Sequence, residues 1–304
     1  MGGMEGVNLD RPDRLGPSAG YWLAKPPRSV PLSVRLPLLL GGLGQIGWLV
    51  LAMGMVFFWI FALNADVARW FVFSGPLDRA EGQVTASRET SASEDDVSVY
   101  ANHYRFSYRG RAYEGVSYAT GKKLKPGSRV TIEMPRGDPT WSRIQGMRTT
   151  LFGPLAAIVV VFPLAGLGMV LARLYKGARP IRLLKHGLPT WGKLVSKTPT
   201  SVRVNQRPVY KLTFEFTTED GRTCRATSMT PEPEALEDEA EEPLVYDPLR
   251  PSRATTLDQL PGAPVFDQMG FVRSRRPGQS LLVCLLPAVC LIGHGLYAWF
   301  RFQG

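Results

Sequence analysis

The side chains able to do chemistry in this chain are few and far apart. Of its 304 residues only three are histidine, His103, His186 and His294, and only three are cysteine, Cys224, Cys284 and Cys290. A hydrolytic triad or a structural zinc site needs several such groups converging on one point. Cys290 and His294 are four residues apart, a spacing that sets both on one face of a helix. Cys284 falls on a different face. The Cys290/His294 pair is therefore read as a packing or hydrogen-bonding pair, with a ligand role as the alternative. A second concentration of chemistry is the acidic run Glu232, Glu234, Glu237, Asp238, Glu239, Glu241 and Glu242. A calcium loop would interleave its carboxylates with a turn glycine, and that pattern is missing. The 232–242 run is read as a solvated face, with a docking surface for a basic partner as the alternative. Thr230-Pro231 ahead of it can cap a short helix. Lys122, Lys123 and Lys125 form a basic loop without interleaved aromatics, which argues against nucleic acid as a partner. No phosphate-binding glycine loop, HExxH or GxSxG occurs. No catalytic, cofactor-binding or metal-binding residue is assigned, no cofactor is implied, and the chain is not read as an enzyme.

What surrounds these residues is strongly segregated. The net charge is +10, but apolar residues gather in three blocks and charges gather between them. Leu38–Leu63 has no charged residue and only Gln45 as a strongly polar one. Leu151–Leu171 is uncharged and contains Pro154 and Pro163. Leu281–Phe300 contains Pro287 and His294. Runs of this length cross a hydrocarbon core of roughly 30 Å as helices, since backbone groups in lipid must bond internally. The first block is too long for a signal-peptide core and reads as a signal-anchor. Three cysteines are too few for a disulfide framework.

Orientation follows from the basic residues flanking the spans. Arg11, Arg14, Lys25, Arg28 and Arg35 precede the first; Arg173, Lys176, Arg179, Arg182 and Lys185 follow the second; Arg273, Arg275 and Arg276 precede the third. All three clusters fit a cytoplasmic N-terminus, an exported first polar region, a cytoplasmic second one and an exported C-terminus. Trp59, Trp70, Phe71 and Trp299 then fall at the outer interface, where aromatic residues are favoured.

Both polar regions alternate with the period of a half-buried strand. In the first, Tyr104, Phe106 and Tyr108 alternate with His103, Arg105 and Ser107, the Arg109-Gly110 turn follows, then Tyr113 and Val116, and later Val130, Ile132 and Met134. In the second, Leu212, Phe214 and Phe216 alternate with Lys211, Thr213 and Glu215. Asp220-Gly221 turns the chain, Cys224 and Ala226 follow, and Leu244-Val245-Tyr246 makes a late strand before Asp247-Pro248. Gly82-Gln83-Val84 opens the first region and Gly192-Lys193-Leu194 the second. The same order at nearly the same spacing predicts an internal repeat.

The pattern of an opening glycine, an alternating aromatic strand, a turn glycine and a late strand ending in Tyr-Asp-Pro resembles the domain-of-unknown-function family 3592. The matching residues are Gly82, Val84, Tyr104, Phe106, Tyr108, Gly110, Tyr113 and Gly115 in the first unit. In the second they are Gly192, Leu212, Phe214, Phe216, Gly221 and Tyr246-Asp247-Pro248. The first unit departs at Glu133-Met134-Pro135, and in the second Cys224 takes the place of the hairpin aromatic. The resemblance covers roughly residues 40 to 300. It implies tandem β domains beside transmembrane helices in a bacterial inner membrane, and no activity.

The expected fold is a membrane α+β protein: three transmembrane helices with two small antiparallel β-sandwich or open-barrel domains of about five strands each. The boundaries are a disordered basic leader 1–35, helix 36–64, extracytoplasmic domain 65–150, helix 151–174, cytoplasmic domain 175–279, helix 280–300 and tail 301–304. The partners implied are the lipid bilayer and a protein partner or a second copy of the chain, with Gly153/Ala157 and Gly168/Ala172 as small residues suited to close helix packing. The favoured function is a non-enzymatic binding or scaffold protein. The alternatives are a component of a transport or channel complex and an accessory subunit of a membrane enzyme.

Overall fold

A computed structural model describes residues 25–237, 240–267 and 269–303. Its helices are α1 (Leu32–Leu40), α2 (Leu43–Ile60), the single turn α3 (Ala68–Phe71), α4 (Val161–His186) and α5 (Gly278–Gln303). Three stretches are long and apolar enough to cross a membrane: Leu43–Asn64, Pro154–His186 and Gly278–Gln303. Most of each apolar surface is exposed. The chain divides into two compact units, 50–165 and 1–49 with 166–304.

The first unit is built on β1 (Leu77–Glu94), β2 (Val97–Tyr108), β3 (Arg111–Thr120), β4 (Arg129–Pro135) and β5 (Arg143–Ile144), in the order β3-β2-β1-β4-β5, antiparallel throughout. The alternation read from the sequence is the burial pattern: Tyr104, Phe106, Ile132 and Met134 point inward with Ile144 and Met147, while Arg105 and Ser107 face outward. The sheet rolls far enough for its edges to meet. Ile144 N donates to Ser117 Oγ at 2.8 Å, and Tyr118 bridges Arg148. Within this unit Gly54 of α2 sits where a Cβ would lie 2.5 Å from Pro163 N of α4, a contact only glycine permits.

In the other unit β6 (Leu188–Val204), β7 (Arg207–Thr217), β8 (Thr223–Thr230), β9 (Glu242–Asp247) and β10 (Arg250–Thr256) form a sheet of order β8-β7-β6-β9-β10, followed by the small β11 (Pro264–Phe266) and β12 (Val272–Ser274) ribbon. Its core holds Leu212, Phe214, Phe216, Ala226, Leu236, Leu244 and Tyr246. Its edges also meet, at the Ser228–Thr256 hydroxyl pair (3.1 Å).

The two sheets correspond strand for strand. Gly82 pairs with Phe106 and Gly192 with Phe216; Thr90 Oγ1 donates to Val99 O at 2.8 Å and Thr200 Oγ1 to Val209 O at 2.7 Å. Register shifts fall between Val84 and Ala86 in one and Leu194 and Ser196 in the other. The hairpin tips, Asp95-Asp96 and Asn205-Gln206, both have positive φ at two successive residues, the turn that matches strand twist. Phe106 stands opposite Tyr113 and Phe216 opposite Cys224, so Cys224 occupies the expected aromatic position.

Three sequence expectations change. Residues 1–24 of the leader lie outside the described residues, but its end is built into the fold: Arg28, Val30 and Val34 are buried and α1 starts at Leu32. Proline and charge on either side hide them in the sequence. Residues 175–186 belong to α4 rather than to the second β domain, because that basic stretch continues the helix to His186. Among its described residues the acidic run carries a 3-10 turn, Pro233–Leu236. Within the chain, α2 makes close contacts at Gly44, Gly47 and Gly54, and a Cβ on Gly168 would meet nothing within 4 Å.

The second sheet is joined to the helices by a further apolar core. Val30, Val34 and Leu38 pack with Leu183 and Leu184 of α4, Val245 of β9, and Leu257, Leu260 and Val272. Gly177 lets α1 lie directly on α4, since a Cβ there would strike the Leu38 carbonyl.

Candidate functional site

The histidines and cysteines do not converge. His103 is half-buried on β2 in the first unit, His186 is exposed at the last residue of α4, and His294 lies on α5. Cys290 is 3% exposed, Cys284 and Cys224 are half-buried, and all three thiols are free. Among the described residues no group of three or more His, Cys, Asp and Glu is placed to hold a metal ion.

The acidic run is tied to its own domain. Glu237 accepts from Lys197 Nζ at 2.8 Å, and Glu232 lies 3.6 Å from Arg207. Both partners stand on the β6–β7 ribbon. Hydrogen bonding to Glu237 raises the Lys197 pKa above its ordinary value. Glu242, unlike the outer members, is 2% exposed. Asp238 and Glu239 lie outside the described residues. Alternating charge brings these groups together only through the sheet register, which single-sequence spacing does not reveal. Lys122, Lys123 and Lys125 are exposed, with Lys123 Nζ 5.9 Å from the centre of the Tyr100 ring.

The outer face of the first sheet carries an open cleft of about 530 Å³ lined by Glu81, Gln83, Arg105, Phe106, Ser107 and Arg129. Gln83 braces it, donating from Nε2 to Gly127 O at 3.1 Å and accepting from Arg105 Nη2 at 3.4 Å. Two guanidiniums and one carboxylate on a shallow floor suit a polar peptide or a charged partner better than an apolar small molecule.

Three polar centres, buried at Asn102 and Asp66 and half-buried at Glu94, are not legible in the sequence. Asn102, 0% exposed, accepts from Ser87 Oγ (2.8 Å) and Leu124 N (3.0 Å) and donates to Lys122 O (3.0 Å). Arg148 Nη1 grips both Glu94 oxygens at 2.6 and 2.9 Å, and Thr120 Oγ1 donates to Glu94 Oε2 at 2.5 Å. Burial pushes the Glu94 carboxyl up, but the bonds from Thr120 and Arg148 outweigh it and hold it below its usual range. Asp66, 1% exposed, accepts from Thr149 Oγ1 at 2.7 Å. Each centre joins residues far apart in the chain. A fourth is Arg28: its Nη1 donates to Gly187 O at 2.6 Å, its N–H to Lys185 O at 2.8 Å, and its guanidinium lies 5.2 Å from the Phe266 ring centre. A cation on terminal helix carbonyls caps α4 and opposes its dipole.

No family profile matches the chain, and no curated protein matches it. Among solved structures, a replication protein A heterotrimer bound to single-stranded DNA is similar at a TM-score of 0.17 and 11% identity. That alignment covers 60% of this chain and 49% of the other, and a likeness this weak carries no argument about fold or ligand.

Proposed function

We propose that the chain is a non-enzymatic, multi-pass membrane protein that displays two duplicated β modules, one on each side of the bilayer, as binding surfaces for protein partners. The observation that carries this reading is the chain order itself: an apolar helix, a rolled five-stranded sheet, an apolar helix, a second such sheet and an apolar helix. A single apolar helix between the sheets supports opposite compartments for them. Basic residues beside the spans support a cytoplasmic N-terminus and second module.

The matched registers, with Gly82 and Gly192, Thr90 and Thr200, and Phe106 and Phe216 each 110 residues apart, support an internal duplication. They also support reading each rolled sheet as an open barrel and the pair as tandem copies of domain-of-unknown-function family 3592, in a bacterial inner membrane. The braced polar cleft on the first module supports a polar protein surface as its partner.

Crosslinking in native membranes followed by purification tests the binding role. A reproducible partner that is lost with Arg105→Glu and Arg129→Glu agrees with it. Ion flux from the purified chain alone in liposomes points instead to a transport or channel component. Reporters fused after Thr150 and after Gly304 test sidedness, and a signal confined to the cytosolic side from either overturns it.

A further inference from the structure

Acidic residues vanish from the sequence between Asp138 and Glu215, a stretch that contains the whole of α4. The apolar part of that helix ends at Leu171-Ala172, and cations follow at every third residue: Arg173, Lys176, Arg179, Arg182 and Lys185. Lys176, Arg179, Arg182 and Lys185 are exposed, and none makes an ion pair among the described residues. At 1.5 Å per residue, Lys176 and Arg179 stand roughly 6 and 10 Å past Ala172, within about one Debye length of a membrane surface.

Arg173 is seated differently. Its chain lies across Gly44 of α2, where an added Cβ would be 2.8 Å from Arg173 Cγ, so the glycine makes the room. Its Nη2 reaches Pro37 O only at 3.4 Å, and its buried Nε has no hydrogen-bond partner among the described residues. A guanidinium offers five donors in a planar fork that matches phosphate oxygens. The incompletely bonded Arg173 and the unpaired Lys176 and Arg179, successive cations on α4, offer donors complementary to a phosphate diester.

We infer that Arg173, Lys176 and Arg179 form a binding surface for the phosphate headgroup of an anionic phospholipid in the leaflet at this end of α4. The site rests on the reading of α4 as a membrane span. Charge complementarity selects the occupant, and continuity with the apolar helix selects a lipid over free phosphate.

The full chain in neutral detergent micelles, titrated with fluorescent phosphatidylglycerol at low salt, tests this. Each neutralised cation at a membrane surface weakens binding about fivefold, so Lys176→Gln with Arg179→Gln weakens it about 25-fold. Lys176→Arg with Arg179→Lys retains it, and Arg203→Gln on the distant β6–β7 ribbon leaves it unchanged. Fluorescent phosphatidylcholine binds the native and neutralised chains alike, and inorganic phosphate at millimolar concentration does not displace the anionic lipid. Equal affinity for both lipids, full competition by phosphate, or unchanged affinity in the neutralised variant overturns the site. Retention in phosphatidylcholine vesicles through alkaline carbonate extraction reads the span separately, so loss of the lipid site and loss of the span are told apart.

Discussion

The Tyr104 hydroxyl fills the space above its cross-strand partner Gly115, whereas at the matching place in the second sheet Phe214 stands opposite Ala226. A methyl group on residue 115 would run into that hydroxyl. A ring without the hydroxyl leaves room for the alanine. Burial also pushes the Tyr104 phenol above its ordinary pKa, so it stays protonated and shares a hydrogen bond with Ser142 Oγ at 3.0 Å.

Gly115→Ala should therefore destabilise the first module by about 1–3 kcal/mol through overpacking. The same change in a Tyr104→Phe background should cost clearly less, with a coupling of about 1 kcal/mol in the double-mutant cycle. Denaturant unfolding of the four variants measures it. Additive effects would show that the hydroxyl is not what requires glycine.

Arg28→Ala removes a buried cation from the end of α4 and leaves the Gly187 carbonyl without its donor. A loss of about 2–3 kcal/mol is expected, in line with hydrogen bonds to charged groups. It should appear as a lower melting temperature of the detergent-solubilised chain. Arg203→Ala, at the exposed end of the β6–β7 ribbon, should change the same reading by less than about 0.5 kcal/mol.

Gly54→Leu should disrupt the α2–α4 contact in the first unit, since even a Cβ meets Pro163 N at 2.5 Å and Phe162 C at 2.8 Å. Gly168→Leu should be nearly silent, because nothing lies within 4 Å of a Cβ there. Unfolding in mixed micelles with increasing dodecyl sulfate separates the two, with about 1–3 kcal/mol expected for the first.

Glu94 sets an acid limit on the first module. A carboxyl held below its ordinary pKa in the fold contributes stability above its unfolded value of about 4.3. That contribution disappears as the pH falls through the lower folded value. The urea midpoint of the native chain should therefore fall as the pH drops below about 4.3, and Glu94→Gln should start lower and flatten that part of the curve. An unchanged slope in the variant would place the acid sensitivity elsewhere.

The sequence makes some of this legible and hides the rest for physical reasons. The three long helices show because their apolar runs are unbroken, and β2 and β7 show because one face is buried and the other wet. The outer arms of β1 and β6 bury little on either face, so no apolar–polar alternation develops along them: Arg88-Glu89-Thr90 and Lys197-Thr198-Pro199 look like loops. Asp95-Asp96 and Asn205-Gln206 turn the chain without the glycine that usually signals such a hairpin. Arg28 stands inside a segment rich in proline and charge, and nothing local tells that its guanidinium meets a carbonyl 159 positions away. The acidic run is readable as exposed, but its pairing with Lys197 and Arg207 depends on strand register.

The shared core of Val30, Val34, Leu183, Leu184, Val245 and Leu257 makes α4 and the second sheet one mechanical body. At 1.5 Å per residue its 26 residues make a bar roughly 39 Å long. A 10° rocking of that bar about its apolar end swings the attached sheet through about 7 Å. A change in the tilt of that helix would carry the attached protein surface with it, the coupling passing through Pro180 within α4.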